Sequence, residues 1–200
     1  MVGRLRVFDF SYAAGKLFVL FGPSGSGKSS LKKLICDNFA PATLKPVVTC
    51  TTRAPRTGEQ EGADYFFIMP EEFAGLDQAD MFFETANFLN NSYATPLSEL
   101  YFLNLGQNLI VTVELEGLKK LAKLPCSVLI FVTAESQELL RRVLARCPEA
   151  NFEQAKERLA LDALQCKEAL EALSFKYKLI NTDLKQTINE LTKIITMELA

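Results

Sequence analysis

A lysine and a hydroxyl set directly behind a glycine cluster are the residues of this chain best suited to holding phosphate. Gly22-Pro23-Ser24-Gly25-Ser26-Gly27-Lys28-Ser29 fits the pattern G-x-x-x-x-G-K-[ST]. Glycines let a backbone wrap closely around a polyphosphate, and the amino end of a following helix supplies free amides and partial positive charge. Lys28 is placed to reach β- and γ-phosphates, and Ser29 to help hold Mg²⁺ with its hydroxyl. An ordinary glycine turn has no need of a lysine and a serine at these offsets. The loop alone leaves GTPase, ATPase and kinase open.

A second group of phosphate-seeking residues lies downstream. Arg53 and Arg56 stand three apart in the turn-rich stretch Thr51-Thr52-Arg53-Ala54-Pro55-Arg56-Thr57-Gly58-Glu59, and Tyr65 follows nine residues after Arg56. Planar guanidinium forks suit bidentate phosphate contacts, and a phenol adds a donor.

These side chains need a scaffold. Lys16–Phe21 is a short apolar run rich in strand formers, and Ser29–Phe39 has helical apolar spacing, so the order is strand, glycine loop, helix. Further buried strands are expected at Pro46–Cys50, Asn108–Glu114, Ser127–Val132 and Tyr177–Ile180, each separated from the next by room for a helix. That alternation predicts an α/β fold with a parallel sheet covered on both faces. The clearest helix spans Asn151–Leu173, with Phe152, Ala155, Leu159, Cys166, Leu170 and Leu173 on its apolar face and an Asn151/Gln154 capping box. Thr95-Pro96 reads as another helix start. Between Thr51 and Tyr93, paired aromatics and short strands at Tyr65–Ile68 and Met81–Ala86 predict a small antiparallel lobe.

Composition narrows the class. At 200 residues with 48% hydrophobic and 23% charged residues, the chain holds enough apolar material for one sizeable core. A net charge of -2 implies no broad basic surface for nucleic acid. The absence of histidine removes the commonest general base and metal ligand. Cys36, Cys50, Cys126, Cys147 and Cys166 are odd in number and include no CxxC pair, which argues against a disulfide framework or zinc site. No apolar run is long enough to span a bilayer, no signal-peptide core is evident, and a cytoplasmic protein is expected.

The stretch from Thr51 through Gly62, Asp64 and Tyr65 resembles the guanylate kinase signature TTRxPRxGExxGxDYxF, at the family's distance from the glycine loop. Phe82-Phe83-Glu84 and Asn91-Ser92-Tyr93-Ala94-Thr95 resemble the family's F-x-E and N-Y-Y-G-[ST] segments, and Asn181-Thr182-Asp183-Leu184 its late N-D-D-L. The resemblance runs from about Lys16 to the final helix. It implies the P-loop nucleoside monophosphate kinase fold: one domain with a core at 1–49, 98–138 and 162–200, an inserted GMP-binding lobe at 50–97 and a helical lid at 139–161. It implies transfer of the γ-phosphoryl group of ATP to GMP, with Mg²⁺ accompanying ATP.

By the same resemblance, ATP is held by the loop from Gly22 to Ser29 together with Ser30 and Asn181, and Arg142, Arg146 and Arg158 join Lys28 in catalysis. Arg53, Arg56, Tyr65 and Tyr93 would bind the acceptor phosphate, Glu84 with Thr49 would read guanine, and Glu59, Thr95 and Glu114 complete the GMP set. The base chemistry agrees, because guanine's N1-H and N2-H donors complement a carboxylate, whereas adenine N1 would face Glu84 acceptor to acceptor. The chain departs from the family pattern at several places. Thr112 stands at the first of two acidic positions, of which Glu114 keeps the second; Thr49, Ser92, Ala94 and Cys147 replace a serine, a tyrosine and two glycines. Two rival readings follow: a binding module with little catalysis, kept open by Thr112, and a kinase of another phosphorylated acceptor.

Overall fold

A computed structural model describes residues 9–146 and 152–200. Five strands form a parallel sheet: β1 (Leu17–Phe21), β2 (Leu44–Pro46), β7 (Asn108–Thr112), β8 (Ser127–Thr133) and β9 (Tyr177–Ile180), in the order β2-β7-β1-β8-β9. All of β1 is buried, which its position at the centre of the sheet requires. Alternate side chains serve two cores. Leu17, Val19 and Phe21 pack with Leu118, Leu121, Cys166 and Ala169 on one face, and Phe18 and Leu20 with Leu31, Ile35, Leu191 and Ile195 on the other.

The helices that cover these faces are α1 (Lys28–Asp37), α4 (Leu115–Leu121), α5 (Ser136–Arg146), α6 (Phe152–Ala172) and α7 (Leu184–Leu199). Asp183 starts α7 by accepting the Gln186 amide at 2.8 Å, which gives the Asn181–Leu184 motif a local structural role. No helix among the described residues is long and apolar enough to cross a membrane.

A second sheet holds β3 (Thr49–Thr51), β4 (Tyr65–Phe67), β5 (Phe82–Phe88) and β6 (Asn91–Pro96), in the order β4-β3-β6-β5. α2 (Pro70–Gln78) packs on it through Phe73 and Phe82, and α3 (Leu97–Leu100) leads the chain back to the large sheet. The expected antiparallel lobe is in fact mixed. β3 pairs antiparallel with β6 but parallel with β4, because the long arginine turn between β3 and β4 returns the chain to the starting end.

Four more expectations are corrected. Pro46–Cys50 is two strands, β2 and β3, in different sheets: the Val47 amide still bonds Ile110 of the large sheet, while the Val48 amide turns to Glu99. β7 stops at Thr112, and Glu114 is the extended residue before α4. Thr95-Pro96 is no helix start; Thr95 belongs to β6 and spends its hydroxyl on Glu84, and α3 begins at Leu97 with no side-chain cap. On α6, Phe152 and Leu170 are exposed, and the buried row is Ala155, Asp162, Cys166 and Ala169. Asn151 and Cys147 lie outside the described residues.

Residues 1 to 15 carried no functional reading in the sequence, yet Phe10 is a core residue. It is 4% exposed and meets Phe83 edge to face at 5.7 Å. Phe10→Ala is expected to cost about 3 kcal/mol, read as a lowered urea midpoint with unchanged denaturant slope.

Candidate active site

The glycine loop leaves β1 and enters α1 as the sequence order requires, and its shape depends on Gly27. Gly27 has φ 92°, in the left-handed region, and a Cβ there would sit 2.2 Å from the Asn181 side chain. Asn181 occupies that space from beneath: its Nδ2 donates to Ser26 O at 2.9 Å, and its Oδ1 accepts from the Thr187 hydroxyl. Asn181 therefore touches the back of the loop and does not line the cleft. Lys28 curls over the front, donating to Gly22 O at 2.6 Å and Pro23 O at 3.0 Å.

Across the cleft, Glu59 organises the arginine turn. Both of its oxygens lie 3.0 Å from Arg53 Nη2, and Oε2 also accepts the Arg56 amide at 2.8 Å. The Arg53 guanidinium lies over the rings of Tyr65 and Phe67. Tyr65 meets Tyr93 edge to face at 6.2 Å. Burial, reinforced by Tyr93, pushes the Tyr65 phenol up to about 12, so at neutral pH it is a hydrogen-bond donor.

Glu84 is aimed by an irregularity. The β5–β6 register shifts between Phe82 and Glu84, which puts Glu84 directly opposite Thr95 and turns its side chain inward. The carboxylate is 4% exposed. Its Oε1 accepts the Thr95 hydroxyl at 2.6 Å, while Oε2 is buried with no partner among the described residues. Gly117 on α4 makes room: a Cβ at that position would lie 2.7 Å from Oε2. Burial raises the Glu84 pKa, partly countered by the Thr95 hydrogen bond. Glu114 is raised by burial too, against the fields of Lys28, Arg158 and Arg56.

One cleft thus collects residues from both sheets. Ser24, Gly25, Gly27, Lys28 and Ser29 form one wall; Arg53, Arg56, Glu59, Tyr65 and Tyr93 another; Thr49, Glu84, Thr112 and Glu114 close the end, and Arg158 reaches in from α6. Thr95 stands behind Glu84, and Ser30 opens onto a neighbouring small cavity instead. Of the three lid arginines, Arg158 donates to Ser24 Oγ at 2.9 Å, and Arg142 bridges Glu138, Gly25 O and Asn181 O. Arg146 ends α5, and its side chain lies outside the described residues. Sequence reasoning missed Asp162, which holds the Ser24 amide at 2.8 Å from α6. Its only signal was a charge on the buried row of that helix.

A phosphate-binding loop facing an arginine–tyrosine clamp across a parallel α/β sheet defines the P-loop kinases of small phosphorylated acceptors. Residues 14–198 match the family model described as guanylate kinase. The chain is 35% identical over 190 residues to a guanylate kinase of Clostridioides difficile, covering 92% of this chain and 88% of the relative. It is 38% identical to one of Mycoplasma genitalium, covering 92% and 76%. A crystal structure of guanylate kinase from Anaplasma phagocytophilum superposes with a TM-score of 0.72 at 25% identity, covering 95% of this chain and 89% of that one. The chain belongs to the guanylate kinase family, the ATP-dependent kinases of GMP.

The raised pKa of Glu84 gives a pH dependence whose sign is fixed. An acid with a raised pKa takes up its proton at a higher pH than the ordinary ~4.3, so its acceptor capacity fails earlier as pH falls. The KM for GMP should rise on the acid side, beginning above the ordinary carboxylate range, and Glu84→Gln should remove that limb. Profiles of KM against pH for parent and variant check this.

Proposed function

We propose that the cleft moves the γ-phosphoryl group of ATP, seated on the glycine loop, to the phosphate of GMP held by Arg53, Arg56, Tyr65 and Tyr93. The observation that carries the assignment is the buried, unpartnered Oε2 of Glu84 at the closed end of the same cleft. A carboxylate oxygen left without a donor costs stability, and guanine's N1-H and N2-H supply the missing donors. Thr95 keeps the other oxygen occupied, which orients the carboxylate toward the base. Thr49 adds a hydroxyl, and Glu114 a second acceptor, along that wall.

Transfer between two polyanions is chiefly a matter of alignment and charge. Lys28 would exchange its contacts with Gly22 O and Pro23 O for the β- and γ-phosphates. Arg158 and Arg142, already at the loop, would follow the developing charge on the transferred group, joined by Arg146. The donor set suits Mg²⁺, which takes few protein ligands and keeps its waters: two hydroxyl residues, Ser29 and Thr112, line the cleft. Ser29 would hold the ion, which would supply positive charge to offset that of the phosphates. Segments 50–97 and 139–161 would act as acceptor lobe and lid, closing to exclude water. A cytoplasmic setting accords with the four described cysteines, all of which are free thiols.

A coupled assay of ATP consumption with GMP, dGMP, AMP, CMP and UMP tests this reading. GMP should be preferred over AMP by about 10⁴-fold in kcat/KM, and equal use of all acceptors would overturn the role of Glu84. Lys28→Ala should lower kcat by about 10²-fold or more in a protein that still unfolds in a single cooperative thermal transition.

A further inference from the structure

Asp162 already holds one backbone amide of the glycine loop. It lies on the buried row of α6, is 6% exposed, and its Oδ2 accepts the Ser24 amide at 2.8 Å. One turn earlier on the same helix, Arg158 donates to the Ser24 hydroxyl at 2.9 Å. The helix therefore grips one residue of the glycine loop twice, by its backbone and by its side chain. Ser24 also lines the cleft.

A buried carboxylate is costly unless donors and positive charge offset its lost hydration. Here the donor is an amide of the phosphate cradle, and a cation, Arg158, holds the hydroxyl of the same residue, Ser24. Asp162 uses the same groups a phosphate would use. Glu114, also on the cleft wall, adds like charge nearby.

We propose that Asp162 is an internal anion of the donor site: it satisfies the Ser24 amide in the absence of donor and must shift off that amide as the lid moves and donor phosphate arrives. Donor binding and lid position are then linked by displacement of one anion by another. Arg158, one turn earlier, changes partner in the same movement, from the Ser24 hydroxyl to phosphate. Asp162 is in this sense a positioning residue that sets donor affinity. The proposal rests on the donor site assigned above.

Parent, Asp162→Asn and Asp162→Ala are titrated by calorimetry with inorganic tripolyphosphate, with MgATP and with GMP. Asp162→Asn keeps the shape and an acceptor for the Ser24 amide while removing the charge. Both variants should bind tripolyphosphate and MgATP about 10-fold more tightly than the parent, with unchanged GMP affinity. Steady-state assays should show the same split, with a lower KM for ATP and an unaltered KM for GMP. Equal or weaker tripolyphosphate binding by a folded Asp162→Asn protein would overturn the proposal, as would an equal gain for GMP. Failure of the parent itself to bind tripolyphosphate or MgATP would instead remove the donor-site assignment.

Discussion

An empty phosphate cradle is a row of backbone amides bent into a shape that they do not hold unaided, and the site depends on what holds them. The brace is the amide side chain of Asn181, pressed against Gly27, whose left-handed backbone disfavours any side chain there. Because Asn181 follows β9, at the edge of the large sheet, the loop's shape is referred to a strand two places away from the one that delivers it. Arg142 ties α5 into the same joint through Gly25 and Asn181. The loop is preorganised, so anion binding need not supply the energy of shaping it.

The opposite half of the cleft follows a different logic. Its arginine turn is held by a largely buried carboxylate, Glu59, that pairs with the Arg53 guanidinium and accepts the Arg56 amide. Its deepest group, Glu84, is left with one lone oxygen by a register shift in β5 and by a glycine on α4. On the proposed role of Glu84, stability is given up at the point where selectivity is needed. This is the usual relation between strain and function.

The parts of this arrangement legible in the sequence were those encoded locally. β1, the glycine loop and α1 are contiguous, and each has a composition that states its conformation. The arginine turn and Glu84 were legible through resemblance, because motif spacing stood in for contacts. What escaped was decided by tertiary partners. Val47 and Val48 look like mid-strand residues, and only the pull of Ile110 on one and Glu99 on the other divides them between sheets. Thr95 before a proline has every mark of a cap, but a buried carboxylate opposite it competes more strongly for the hydroxyl. Asp162 interrupts an apolar row, and its partner is 138 positions away in sequence.

The chain enters the small sheet between Val47 and Val48 and leaves it between Pro96 and Leu97. Glu99, just past the second crossing, accepts the Val48 amide of the first and pairs with Lys45, while Lys32 on α1 donates to Val47 O. Both crossings are therefore stitched into one spine fastened to the phosphate-loop helix. A leaf bound along a single spine can turn but cannot slide, so the cleft residues of the small sheet would travel along an arc whose pivot is fixed relative to Lys28.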